Sequence, residues 1–314
     1  MRDYILRRLL LLIPVLLGIS VCVFFIMQLV PGSVVSGILG IEATPELRAA
    51  WEAKLGLDKP VVTQYFTWLG KALTGNFGES FRTGIPVFPE IMRRFSITSE
   101  LALLGCIISW MIAIPLGIIS ALKRNTSLDK SVRVFALLGV SVPNFAFATL
   151  MILILSKVFG YSSPVGYASL FQNPGKNLQI MIQPAIVLGS VMAGSVMRMT
   201  RSSILEVLRQ DFIKAARARG ASERVTIYRH ALKNGCIPIL TLVGMQMGAL
   251  LGGTVVVEQI FSIPGLGQYT LTGISQRDFP VVQGCVLFIA FIYVVINLLV
   301  DVLYTYIDPR IQYD

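Results

Sequence analysis

Leu9 to Val30 reads LLLLIPVLLGISVCVFFIMQLV, without one charged side chain. About 20 apolar residues are enough for a helix to cross a hydrocarbon core roughly 30 Å thick. Apolar residues are continuous here rather than alternating, which argues against a membrane-barrel strand. Backbone groups in lipid have no water to pair with, so they must pair within the segment, as a helix allows. Five more runs repeat the pattern: about Ser99 to Leu122, Val134 to Phe159, Leu178 to Met197, Cys236 to Val257 and Val281 to Tyr306. The whole chain is 54% apolar and only 14% charged, against about 25% charged in ordinary soluble domains. These runs predict an all-α polytopic membrane protein with six transmembrane helices. The first run lacks a small-residue cleavage site and is expected to stay as a span.

Cations orient the spans. The N-terminus, the Lys123 loop, the Arg198 to Gly235 segment and the tail carry 17 Lys or Arg. The opposite sides carry 10, over more residues and offset by nine acids. The positive-inside rule puts both termini in the cytoplasm of a plasma-membrane protein. The net charge of +10 is then the cation excess of cytoplasmic loops. The bilayer, and no nucleic acid, is the expected polyanionic neighbour. The organisation read from this is a cytoplasmic N-terminus and first span over 1–30, an external cap over 31–98, and a five-helix core over 99–314. Within the cap, Thr44 before Pro45 is a plausible N-cap for a helix from Pro45 to Leu55.

The stretch Asp211 to Pro238 reads DFIKAARARGASERVTIYRHALKNGCIP. From Arg198 on, Ile204, Leu208, Phe212 and Ala215 or Ala216 recur at helical spacing, with Arg201, Arg209, Lys214 and Arg217 between them. That pattern predicts an amphipathic helix continuing the fourth span into the cytoplasm. Gly220 is placed to stop it. Ser222 can cap a second short helix, with Glu223 favourable in its first turn and Val225, Tyr228 and Leu232 along one face. The pattern alone serves a basic connector lying on anionic lipid and a docking element equally well. Ala215, Ala216, Ala218, Gly220 and Ala221 favour docking, because small residues let a partner helix approach.

Other residues carry weaker signals. His230, the only histidine, cannot build a histidine relay or metal site, and reads as a polar contact on the second helix. Cys22, Cys106, Cys236 and Cys285 have neither metal nor disulfide spacing. No GxxxxGK[ST] loop occurs, so if ATP is used another chain supplies its site, and neither an enzyme nor a cofactor site is expected here. Pro143-Asn144 interrupts the third span and Pro115-Gly117 the second; such breaks line cavities in transporters and also occur as plain kinks. Gly244, Gly248, Gly252 and Gly253 suggest a close-packing face, plausibly against a partner subunit. Asn144, Met245, Gln246 and Glu258 are pathway candidates, Glu258 either lining an external vestibule or facing water. Asn297 and Asp301 share a face of the last span, and interhelix contact is favoured over a transport role. The Ile263 to Gly267 loop either bends into the outer vestibule or is a tight turn.

Lys214-Ala215-Ala216 with Gly220 beyond them resembles the EAA motif of binding-protein-dependent ABC importer permeases. The Asp211 to Pro238 wording resembles the oligopeptide, dipeptide and nickel branch. LGLDKP from Leu55, GNFGESFRTGIPV from Gly75, LLGVSVPNF from Leu137, GGTVVVEQIFSIPGLG from Gly252, RDFPVVQG from Arg277 and NLLVDVLYTYIDPRI from Asn297 resemble it too. The likeness thus runs the whole chain. Two positions depart from the motif: Lys214 stands where the family has Glu, and His230-Ala231-Leu232-Lys233 lacks its proline. The resemblance implies a type I ABC importer permease fold, a bacterial inner-membrane location and alternating access. It also implies a sister permease, two ATP-binding subunits holding ATP and Mg, and an external substrate-binding protein. The contact with the ATPase would be made by Lys214, Ala215, Ala216, Gly220, Ser222, Glu223, Tyr228 and His230. Small peptides head the branch's substrates, with nickel, glutathione and opines as alternatives. Of rivals in other classes, an ion-driven transporter would place paired charges at mid-membrane, which this chain almost lacks. A membrane enzyme or scaffold would need a reactive cluster, and none converges in sequence.

Overall fold

The computed structural model describes residues 2–29, 35, 39 and 44–307. Among these no strand occurs, only an isolated bridge between Glu79 and Pro86. Four described helices are long and apolar enough to span a membrane, or five if one bent pair counts as a single span. The fifth expected run, Cys236 to Val257, is largely covered by a 22-residue helix that is not among those four. The described residues fall in two compact units, 1–98 with 264–295, and 99–263 with 296–314.

In the first unit lie α1 (Arg2–Leu29), α2 (Pro45–Leu55) and α3 (Val61–Leu73), the start of α4 (Val87–Leu122), and further on α12 (Leu266–Gln276) and most of α13 (Phe279–Ile307). Thr44 caps α2 as expected, its hydroxyl accepting from the Leu47 amide at 3.3 Å. Ser20, Phe24 and Gln28 stand one turn apart on α1 and meet α3. The Ser20 and Tyr65 hydroxyls are 2.9 Å apart. Phe24 packs edge-on against Tyr65 with ring centroids 5.4 Å apart, and Gln28 Nε2 donates to Gln64 Oε1 at 3.3 Å. Asp278 anchors the 74–86 loop, accepting from Ser80 Oγ at 2.5 Å and from the Phe81 amide at 3.1 Å. Leu266 is buried with Val87, Ile91, Val281, Cys285 and Phe288, and its amide donates to Thr98 Oγ1 at 2.8 Å. Leu266 is thus a core residue.

The second unit holds the rest of α4, then α5 (Ser127–Ser141), α6 (Asn144–Phe159), α7 (Pro174–Val207), α8 (Asp211–Ala218), α9 (Glu223–Val225), a π-helical turn (Thr226–Ala231), α10 (Leu232–Gly253), α11 (Val255–Ile260) and the end of α13. The third span expected from Val134 to Phe159 is interrupted at Pro143-Asn144, where the chain bends by 104° between α5 and α6. Val142 is extended ahead of Pro143, as the proline ring requires of its predecessor, and Pro143 then opens α6. Helix α7 is the centre of the unit, with 72% of its most apolar window buried. Its neighbours come very close because glycines stand at the crossings. A Cβ on Gly117 of α4 would lie 2.6 Å from Thr200 Cβ, and one on Gly194 of α7 would lie 2.5 Å from the Ala136 carbonyl of α5. Ala113, Ala136, Ala193, Val196, Met197 and Val243 fill the core between them.

One glycine of the α10 stripe, Gly244, packs within the chain. A Cβ on Gly244 would collide with Val300 at 2.4 Å, whereas Gly252 and Gly253 have nothing within 4 Å. Gly244 therefore gives way to α13 of the same chain. The Asp301 side chain and the 308–314 tail lie outside the described residues.

Candidate functional site

The segment from Arg198 to Gly235 differs from its sequence pattern in phase. Helix α7 ends at Val207, and Leu208 to Gln210 form a tight turn with Arg209 and Gln210 amides reaching back three residues, to Glu206 and Val207. Gln210 is extended, so α8 starts afresh at Asp211. The break resets the helical phase. Ile213 takes the fully buried position beside Ile118, Ala121, Ile204, Val207, Ile227 and Ala231, and Phe212, expected on the inner face, is 39% exposed.

Gly220 ends α8 as expected. At φ +86° it occupies the left-handed region that favours glycine. The Gly220 and Ala221 amides donate to the Arg217 and Ala216 carbonyls, at 2.9 and 3.2 Å. Ser222 then caps α9, its Oγ accepting from the Val225 amide at 3.4 Å. Arg217 reaches across the glycine turn and grips Glu223 with Nε at 2.8 Å and Nη2 at 3.1 Å. Lys214 pairs within its own helix, 2.8 Å from Asp211, and that hydrogen bond holds the Asp211 carboxyl below the usual carboxylate range.

The second helix is not a separate hairpin arm. From Glu223 it runs through the π turn directly into α10. A π turn takes an extra residue per turn, so the buried face is Thr226, Ile227 and Ala231. Val225 and Tyr228, expected on one face of this helix, are 41% and 58% exposed. His230 is half-buried, and its carbonyl accepts from Asn234 Nδ2 at 2.7 Å. Ala215 and Ala216 are half-buried, while Lys214, Gly220, Ser222 and Glu223 are exposed. The segment thus presents Phe212, Val225 and Tyr228 outward amid cations, on a turn pinned by one glycine and one bidentate ion pair.

The pathway candidates are dispersed. Asn144 opens α6, half-buried just past the 104° bend. Helix α11, which carries Glu258, packs against α6, and Glu258 is fully buried, so it does not face water. On α10, Met245 is 60% exposed, and Gln246 Oε1 is buried without a hydrogen-bond partner.

Two polar clusters escaped the sequence pattern. Asp129, fully buried, accepts from Arg201, Ser120 and the Asn125 amide. On the loop side of α7, Glu100 accepts from Tyr167 at 2.7 Å and from Asn177 Nδ2 at 2.5 Å. Burial and then the Glu100 carboxylate push Tyr167 up to about 12, so it remains a neutral donor. Each cluster joins residues far apart in sequence, and only a lone acid in a cationic loop hinted at the first.

Residues 113–313 match the family described as binding-protein-dependent transport system inner membrane component, and residues 1–102 match the N-terminal region described for such components. The dipeptide transport system permease protein DppB of Alkalihalophilus pseudofirmus is 41% identical over 333 aligned residues, covering all of both chains. Its Escherichia coli K12 namesake is 38% identical, covering all of this chain and 99% of that one. A chain of the MetNI methionine ABC transporter in an inward-facing conformation superposes with a TM-score of 0.57 at 18% identity, over 70% of this chain and 96% of that one. That likeness carries the fold, a type I ABC importer permease fold, with several membrane-spanning helices as its scaffold. The helical core around α7 and the capped, glycine-turned segment after it thus sit in a chain that belongs to the binding-protein-dependent transport system inner membrane component family.

Proposed function

We propose that this chain, a multi-pass permease, forms with a sister permease the pathway through which short peptides are imported at the expense of ATP. The observation that carries the substrate class is full-length identity of 41% and 38% to two permeases named for dipeptide transport. Two ATP-binding subunits, holding ATP and Mg, dock on the segment from Lys214 to His230. Its exposed Val225 and Tyr228, with Phe212 just before it, supply an apolar surface suited to a protein groove. An external binding protein delivers the substrate. Both termini lie in the cytoplasm, residues 31–98 lie outside, and α10 completes six spans. Closure of the ATPases pulls the docking segment, and the helices alternate between inward-open and outward-open states whose populations ATP shifts. Asn144, Met245, Gln246 and Glu258 are the pathway residues of this reading.

Uptake of radiolabelled alanyl-alanine by cells with and without this chain tests it. The expected result is uptake that needs the chain, falls when ATP is depleted and survives collapse of ion gradients. Uptake that follows the ion gradient and ignores ATP would contradict it.

A further inference from the structure

The cytoplasmic end of the second unit holds a buried charge that docking does not use. Asp129, 0% exposed, sits one turn into α5. Arg201 of α7 meets it in fork geometry, with Nε 2.8 Å from Oδ1 and Nη2 2.9 Å from Oδ2. Ser120 Oγ, from the end of α4, donates to Oδ1 at 2.6 Å. The Asn125 amide, from the connecting turn, donates to Oδ2 at 2.9 Å, and Asn125 holds φ +65° there. Arg133 adds a longer contact at 3.7 Å. One carboxylate thus ties α4, α5 and α7 together where all three reach the cytoplasmic side.

Its place relative to the docking segment gives it a consequence. Arg201 lies ten residues before Asp211, the first residue of α8. Below the ion pair, Ile118 and Ala121 of α4 and Ile204 and Val207 of α7 share one core with Ile213 of α8 and Ile227 of the π turn. Above it, the crossings at Gly117 and Gly194 leave no room for a Cβ. A force on α8 therefore meets, in order, an apolar plug, the Asp129 clamp and close-packed helices. Apolar burial is non-directional and does not by itself fix one geometry. A bidentate buried ion pair has one geometry and leaves an uncompensated charge if it slips.

Resting on the importer reading, we infer that Asp129 and Arg201 are positioning residues that lock α4, α5 and α7 into one lever, so that movement of the docking segment becomes movement of the membrane helices. The clamp contributes to coupling rather than to docking or to the chemistry of ATP.

The test uses the complete transporter in proteoliposomes, measuring ATP hydrolysed and radiolabelled alanyl-alanine accumulated. Asp129→Asn keeps shape but loses the charge. Because a single change strands Arg201, the deciding variant is Asp129→Leu with Arg201→Met, in which an apolar pair replaces the ionic one without leaving a lone charge. The double variant is expected to assemble and hydrolyse ATP as wild type does, and to move about 10-fold less dipeptide per ATP, within the usual range of coupling between sites. A wild-type ratio of dipeptide to ATP in the double variant overturns the clamp. So does a double variant that no longer assembles, which makes the pair a folding contact only. Absence of ATP-driven uptake in the wild-type complex overturns the importer reading instead, before any variant is compared.

Discussion

At Gly220 the chain needs a left-handed backbone and has open space beside it: φ is +86° and no atom lies within 4 Å of an added Cβ. Gly220→Leu is therefore expected to act through the backbone alone, at about 1–2 kcal/mol. The chain should still insert into the membrane, and transport should fall because the Arg217–Glu223 grip across the turn is displaced. Uptake normalised to membrane-inserted protein measures this, and wild-type transport in the variant would sink the role given to the turn. Gly220, Ser222 and Thr44 were legible in the sequence because caps and stops are local chemistry, settled within four residues. Asp129 was not. Its decisive partner, Arg201, is 72 positions away, and no periodicity connects two charges across three helices.

Elements obey a different rule, which is phase. The order of helices was readable from the apolar runs, but which side of each helix faces inward depended on where it is interrupted. The turn at Leu208 to Gln210 moves Ile213 inward and Phe212 outward, and the π turn does the same to Ile227 and Tyr228. Neither interruption carries a proline or glycine to announce it. Because Tyr228 is exposed, Tyr228→Ala should leave the melting temperature of the detergent-solubilised chain nearly unchanged. It should also cut recovery of ATPase subunits about 10-fold, as loss of an aromatic anchor does. Unaltered recovery would remove Tyr228 from the docking face. Packing gives a second expectation. Gly194→Ala places a methyl group 2.5 Å from the Ala136 carbonyl, while Gly175→Ala meets nothing within 4 Å. The first should destabilise the chain by about 1–3 kcal/mol and the second should be near neutral, as thermal unfolding in detergent would read.

For the molecule as a whole, composition set the solvent and the resemblance set the family, and both were readable without coordinates. The bend of 104° between α5 and α6 was announced by Pro143, though not its size. The pathway residues were the least legible, because a polar side chain in a span looks alike whether it faces a pore, a partner or a core. Glu258 illustrates this: sequence allowed it to face water, and packing buries it. In the proposed reading, the helices around α7 are moved by partner subunits. Purification of the tagged chain in mild detergent, with mass spectrometry of what accompanies it, tests this most directly. Two ATP-binding chains and a sister permease are expected in the complex. A chain that purifies alone, or only with copies of itself, would contradict an ATP-driven importer.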